Sequence, residues 1–202
     1  MIRELALADV ITLGNASCGM AAILQCLRFL ADRSANPTNT PSLWAAFVLL
    51  PIAMACDVAD GSVARWRRKW SAIGADLDSL ADVVSFGVAP AVLGFTVGLR
   101  GTWDTIILVY FVACGIGRLA RYNATADEMS DETGKVKHYE GTPIPTSLSI
   151  IALLAVAYAQ GRIEERLYLG KLEIGPWDFH PLVLLYALSG SLMISTIKVP
   201  KL

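Results

Sequence analysis

Six stretches of this chain are apolar for long enough to compete for a lipid bilayer, and no other feature limits its fold as strongly. They run roughly over residues 9–30, 42–60, 77–99, 103–123, 145–160 and 180–197. Crossing the hydrocarbon core takes about 20 mostly apolar residues, since a helix rises only ~1.5 Å per residue. The fifth stretch is short and draws on its flanks. A mean hydropathy of +0.51 with 17% charged residues points the same way. The expectation is an all-α integral membrane protein with six transmembrane helices.

The first run carries Asp9, Asn15 and Gln25 and no small-residue cleavage site, so it reads as a retained span, not a removable signal. With the N-terminus inside, eleven of the 17 Lys and Arg fall in inner segments: Arg3, Arg65, Arg67, Arg68, Lys69, Arg118, Arg121, Lys135, Lys137, Lys198 and Lys201. Arg28, Arg33, Arg100, Arg162, Arg166 and Lys171 fall outside. The positive-inside rule then favours both termini inside. A net charge of −1 with cations at the span ends gives no reason to expect nucleic acid. Cys18, Cys26, Cys56 and Cys114 lie in apolar runs without a Cys-x-x-Cys pair and read as core thiols. No repeat, low-complexity tract or long linker divides the chain, so residues 1–202 read as one helical-bundle domain.

Between the second and third runs lies "CDVADGSVARWRRKWSAIGADLDSLAD", residues 56–82. Asp57 and Asp60 are three apart, and Asp78 and Asp82 four apart, so each pair shares a helix face. Two antiparallel helices joined through the cationic connection between Gly61 and Gly74 would bring both pairs together. An ionised Asp in mid-membrane costs ~3 kcal/mol on insertion scales, and four of them repel one another. Arg65 neutralises only one. One or two divalent ions on oxygen ligands neutralise several, which suits Mg²⁺ or Mn²⁺, with Ca²⁺ also compatible. The residues therefore predict a divalent-metal site opening at the inner interface. Asp76 lies off both faces and reads as a capping or solvated residue.

The spacing Asp-x2-Asp-Gly-x2-Ala-Arg-x8-Gly-x3-Asp-x3-Asp, carried here by Asp57, Asp60, Gly61, Ala64, Arg65, Gly74, Asp78 and Asp82, resembles the signature of the CDP-alcohol phosphotransferases. These membrane enzymes move a substituted phosphate from a cytidine diphosphate donor to an alcohol. The resemblance implies a six-helix fold, a homodimer, and a site at the cytoplasmic face. It also implies metal ligation by Asp57, Asp60, Asp78 and Asp82, with Asp82 as the base that deprotonates the acceptor hydroxyl. Asp60, Gly61, Ala64, Arg65 and Gly74 would receive the nucleotide donor: a glycine lets a diphosphate approach the helix, and Arg65 offers a fork of donors.

Beyond the signature, "LADVITLGNASCGMAAI" (7–23), "DSLADVVSFGVAPA" (78–91), "GIGRLARYNAT" (115–125), "YEGTPIPTS" (139–147) and the stretch 180–201 resemble the phosphatidylserine-synthase branch of that family. That branch implies CDP-diacylglycerol and L-serine as substrates, in the endoplasmic reticulum of a eukaryote or the inner membrane of a bacterium. Arg118 and Arg121, three apart, can converge on the serine carboxylate; Asn123 and Glu140 are the candidates for its ammonium. Tyr122 and Thr142 depart from the Phe and Leu expected near the acceptor pocket. Other alcohols, such as glycerol 3-phosphate, inositol phosphate or choline, are the nearest alternative. A cation transporter is the distant one, because its polar groups would be spread across the membrane. His138 reads as solvated and His180 as interfacial, and Gly94 and Gly98 form a GxxxG pair suited to local packing or a dimer seam.

Overall fold

The computed structural model describes residues 7–35, 43–67, 73–125 and 138–200. Arg68, Lys69, Lys135, Lys137, most of the turn between the first two runs and most of the polar stretch 125–147 lie outside the described residues.

The chain is mostly helical: α1 (Leu7–Ala35), α2 (Trp44–Arg67), α3 (Gly74–Asp82), α4 (Ala89–Val97), α5 (Thr102–Thr125), α6 (Ser147–Ala159) and α7 (Leu184–Ile194). A π-helical turn, Val83–Val88, joins α3 to α4 without a break, just ahead of Pro90. Proline cannot donate to the carbonyl four residues back, and a wider turn beside it accommodates the missing bond. Four helical stretches are long and apolar enough to cross a membrane: Leu7–Ser34, Trp44–Trp66, Gly74–Val97 and Thr102–Ala124. Two shorter apolar helices, Ile144–Ala159 and Pro181–Ile194, follow. Val10, Leu13, Leu24 and Leu27 on α1 and Ile106 and Val109 on α5 are exposed. Long helices that turn such side chains outward mark an integral membrane protein.

The all-α expectation needs one amendment, since two small antiparallel ribbons join the helices. Strand β1 (His138–Glu140) pairs with β4 (Lys198–Pro200), and β2 (Leu172–Ile174) with β3 (Trp177–Phe179). Three-residue strands leave too little alternation to read from sequence.

The core runs through Leu50, Phe86, Leu93, Phe111, Tyr186 and Met193, all fully buried. The Tyr186 hydroxyl donates to the Pro90 carbonyl at 2.8 Å, and its ring meets Phe111 edge-on at 5.2 Å. A Cβ on Gly94 would stand 2.7 Å from that hydroxyl. Gly98 ends α4 at φ +145, and a Cβ there would meet the Glu164 backbone at 2.6 Å. Both glycines of the GxxxG pair are therefore used for packing within the chain.

One end of the bundle is closed by polar contacts. Glu164 accepts from Arg33 at 2.8 Å and Arg100 at 3.2 Å. His180, expected at the interface, is buried instead: its Nδ1 lies 2.6 Å from Asp104 Oδ2, its backbone N–H donates to Oδ1 at 2.9 Å, and Gly101 N–H donates to Oδ2. A fully buried carboxylate with three donors holds the start of α5 against the approach to α7. The opposite end carries the aspartates.

Candidate metal and nucleotide site

Asp57 and Asp60 lie on the last turns of α2, and Asp78 and Asp82 on α3. The two helices present their pairs to each other, as the i, i+3 and i, i+4 spacing requires. Carboxylate oxygens of Asp57, Asp60 and Asp78 all lie within 4.8 Å of one another. Asp82, one turn beyond Asp78 on the same helix, is buried at 9% exposure, and Asp60 is 5% exposed. Among the described residues, no Lys or Arg forms an ion pair with any of the four. Arg65 is exposed and turns its Nη2 to Ser62 Oγ at 3.4 Å. Among the described residues the concentrated negative charge thus has no protein counter-ion, and Asp57, Asp60 and Asp78 offer carboxylate oxygens at separations a shared divalent ion can bridge. These residues fit Mg²⁺, Mn²⁺ or Ca²⁺.

Beside the cluster lies a cavity of about 300 Å³ lined by Asp9, Thr12, Asp60, Gly61, Ala64, Gly74, Asp78 and Tyr122, among others. Four of the five residues expected to receive the donor, Asp60, Gly61, Ala64 and Gly74, are on its wall; Arg65 is not among them. A Cβ at Gly61 would meet nothing closer than Arg65 Nη1 at 3.7 Å. The small residues leave this wall bare, which is what a polar ligand lying against backbone needs.

The acceptor-side residues are more scattered. Arg118 is half-buried on α5. Arg121 lies on the same side, one turn on, with Nη1 3.4 Å from the Ile194 carbonyl and Nη2 3.2 Å from that of Ser195. Tyr122 is the α5 residue on the cavity wall. Asn123 bonds Ser79, the residue after Asp78, with Nδ2 3.0 Å from Oγ, and Glu140 pairs in β1 with Lys198.

Helix α1 contributes what the aspartate pattern does not reveal. Asp9, Thr12 and Asn15, each three residues from the last, are all buried. The Thr12 hydroxyl is 2.6 Å from Asp60 Oδ2, and Asn15 Nδ2 donates to Asp82 Oδ1 at 3.4 Å. The only signal in the sequence was the persistence of polar residues in an otherwise apolar span.

A model of the CDP-alcohol phosphatidyltransferase family matches residues 5–190, nearly the whole chain. The chain belongs to this family. Among its relatives is the CDP-diacylglycerol–serine O-phosphatidyltransferase of Saccharomyces cerevisiae, 40% identical over 205 residues that take in all of this chain and 72% of the yeast protein. A protein of the same name from Bacillus subtilis is 31% identical over 151 residues, 74% of this chain and 75% of its own. The archaetidylserine synthase of Methanothermobacter thermautotrophicus is 36% identical over 151 residues, 73% of this chain and 57% of its own. As a CDP-alcohol phosphatidyltransferase, the chain carries every position of the signature, and the three helices α1, α2 and α3 bring its four aspartates to one end of the bundle.

Proposed function

We propose that this protein transfers the phosphatidyl group of CDP-diacylglycerol to the hydroxyl of L-serine, giving phosphatidylserine and CMP. The observation that carries the proposal is the convergence of Asp57, Asp60 and Asp78, with Asp82 one turn on along α3, beside a bare-walled cavity. The choice of serine rests on relatives in three organisms whose names specify a serine-derived lipid.

In this reading the diphosphate lies along Gly61, Ala64 and Gly74, with Arg65 swinging in from the rim to donate to its oxygens. Asp57, Asp60, Asp78 and Asp82 would hold a divalent ion, which would supply charge neutralisation for the diphosphate and the departing CMP. Asp82 takes the proton of the serine hydroxyl as the serine oxygen bonds to the phosphatidyl phosphorus. The bond from that phosphorus to the CMP oxygen breaks, and CMP leaves with the electron pair. Arg118 and Arg121 hold the serine carboxylate.

The same proposal takes residues 1–202 as one domain of six transmembrane spans. Ile144–Ala159 and Pro181–Ile194 are short of a full bilayer and would cross with local thinning. The cation distribution supports a cytoplasmic face for the aspartates; the reading adds the endoplasmic reticulum or a bacterial inner membrane as the location and a homodimer as the working unit.

The test offers purified protein CDP-diacylglycerol and Mn²⁺ or Mg²⁺ with serine, glycerol 3-phosphate, inositol phosphate or choline, each alone. CMP release and the lipid product are read by mass spectrometry. Phosphatidylserine formed only with serine is the expected result. CMP release with another acceptor would displace serine, and no release with any of them from folded protein would remove the transferase reading.

A further inference from the structure

Helix α1 contributes no aspartate to the signature, yet it bonds one aspartate of each pair. We propose that Thr12 and Asn15 are positioning residues: from α1, Thr12 fixes Asp60 as a metal ligand and Asn15 fixes Asp82 as the proton acceptor. This inference rests on the transferase reading above.

Helices α2 and α3 set where the aspartates attach, but not where their carboxylates point. A carboxylate turns about two side-chain torsions, and four of them gathered together repel. Ligating carboxylates are commonly held by an outer hydrogen-bond donor, and loss of such a donor weakens metal binding or activity about 10–100-fold. Thr12 and Asn15 are placed as such donors. They reach Asp60 and Asp82, the two members of the cluster that are almost fully buried. The Thr12 hydroxyl also lies 3.1 Å from the Ala8 carbonyl, but the shorter contact, 2.6 Å, is to the carboxylate.

Asn15 is fully buried, and its Oδ1 has no hydrogen-bond partner among the described residues. Its orientation is therefore not set by satisfying both ends of the amide. With Nδ2 toward Asp82 it donates to a carboxylate; the reverse orientation would set two acceptors face to face. The backbone around Asn15 is fixed as well. Ser85, three residues beyond Asp82 in the π turn, donates to the Asn15 carbonyl at 2.9 Å. Gly19 permits that approach, since a Cβ there would stand 2.8 Å from the Ser85 Cα. Two bonds, from Asn15 to Asp82 and from Ser85 to Asn15, thus join α1 to the stretch that carries the base.

The experiment compares the full chain with Thr12→Val, Thr12→Ser and Asn15→Leu. Mn²⁺ binding without substrates is followed by the electron paramagnetic resonance of free Mn²⁺, alongside steady-state kinetics and thermal melting. Thr12→Val should weaken Mn²⁺ binding about tenfold, and Thr12→Ser, which keeps the donor, should restore it to within about twofold. Asn15→Leu should lower kcat about tenfold or more while both KM values stay within about twofold. If Asn15→Leu does not fold, Asn15→Ser removes the same N–H with less apolar bulk. Unchanged Mn²⁺ affinity in Thr12→Val, or a rise in KM in place of the kcat loss in the Asn15 variant, would overturn the inference while leaving the transferase intact. Weakened Mn²⁺ binding in a protein that makes no phosphatidylserine would do the reverse, keeping the hold on Asp60 and removing serine transfer.

Discussion

Arg121 on α5 reaches across to the carbonyl of Ser195, 3.2 Å away, just past the last turn of α7. A guanidinium among the final carbonyls of a helix satisfies groups that have no partner within it and complements the negative end of the helix dipole. The side chain is thereby anchored on the side of the bundle where the aspartates lie. Arg121→Ala should raise the KM for serine about tenfold and that for CDP-diacylglycerol much less, in line with the loss of one charged hydrogen bond. Steady-state kinetics with each substrate varied in turn checks this. The opposite ordering would move Arg121 to the donor side.

Asp82→Asn keeps the shape of the side chain and removes its capacity to take a proton. Turnover should fall by about 10²–10⁴, the range a general base supplies, while helical content and CDP-diacylglycerol binding persist. Circular dichroism and a donor-binding assay, run beside CMP release, separate the chemistry from the fold. Full activity would remove Asp82 from the role.

Treatment with a chelator should stop turnover without unfolding the helices, and Mn²⁺ or Mg²⁺ should restore it. The carboxylates gathered within 4.8 Å need a counter-charge for the diphosphate to approach. Undiminished CMP release in excess chelator would mean that no exchangeable metal is used.

Gly94→Ala places a methyl 2.7 Å from the buried Tyr186 hydroxyl. Overpacking of this kind costs about 1–3 kcal/mol, and a lowered melting temperature should report it. Tyr186→Phe in the Gly94→Ala background removes the offending oxygen and should recover part of the loss. No change in melting for Gly94→Ala would show that the two helices part easily there.

His180→Ala should cost about 2 kcal/mol, the usual worth of a hydrogen bond to a charged group. It should leave kcat nearly unchanged below the melting temperature. The His180–Asp104 pair closes the end of the bundle where Arg33 lies, and Asp9 at the site end is 24 residues earlier on α1, about 36 Å away along a helix. A large kcat loss in folded protein would mean that the two ends are coupled.

The parts of the molecule visible in its sequence were those with a local period. Residues 9–30, 42–60, 77–99 and 103–123 fall within or nearly coincide with the long helical stretches, because an apolar span needs only length to declare itself. Asp57, Asp60, Asp78 and Asp82 were legible because i, i+3 and i, i+4 spacing converts directly into a shared face. Thr12 and Asn15 were not assigned, since a lone polar residue in an apolar helix says nothing about which distant carboxylate it meets. His180 was misplaced for a similar reason. Its partner Asp104 is 76 residues away, and a histidine before a proline at the end of a span looks interfacial until that partner is known. The β1–β4 ribbon pairs segments about sixty residues apart with no alternation to advertise them.

The two ends of the bundle differ in when synthesis can complete them. Thr12 meets Asp60 across 48 residues and Asn15 meets Asp82 across 67, so the aspartate cluster can form once the third apolar stretch has left the ribosome. Arg33 must wait 131 residues for Glu164, and Asp104 must wait for His180. Chains grow at about 5–20 residues per second, which leaves several seconds in which a nascent chain holds its acidic cluster while the far end stays unfastened. Truncation after α5 would thus separate a defect in assembling the cluster from a defect in locking the bundle.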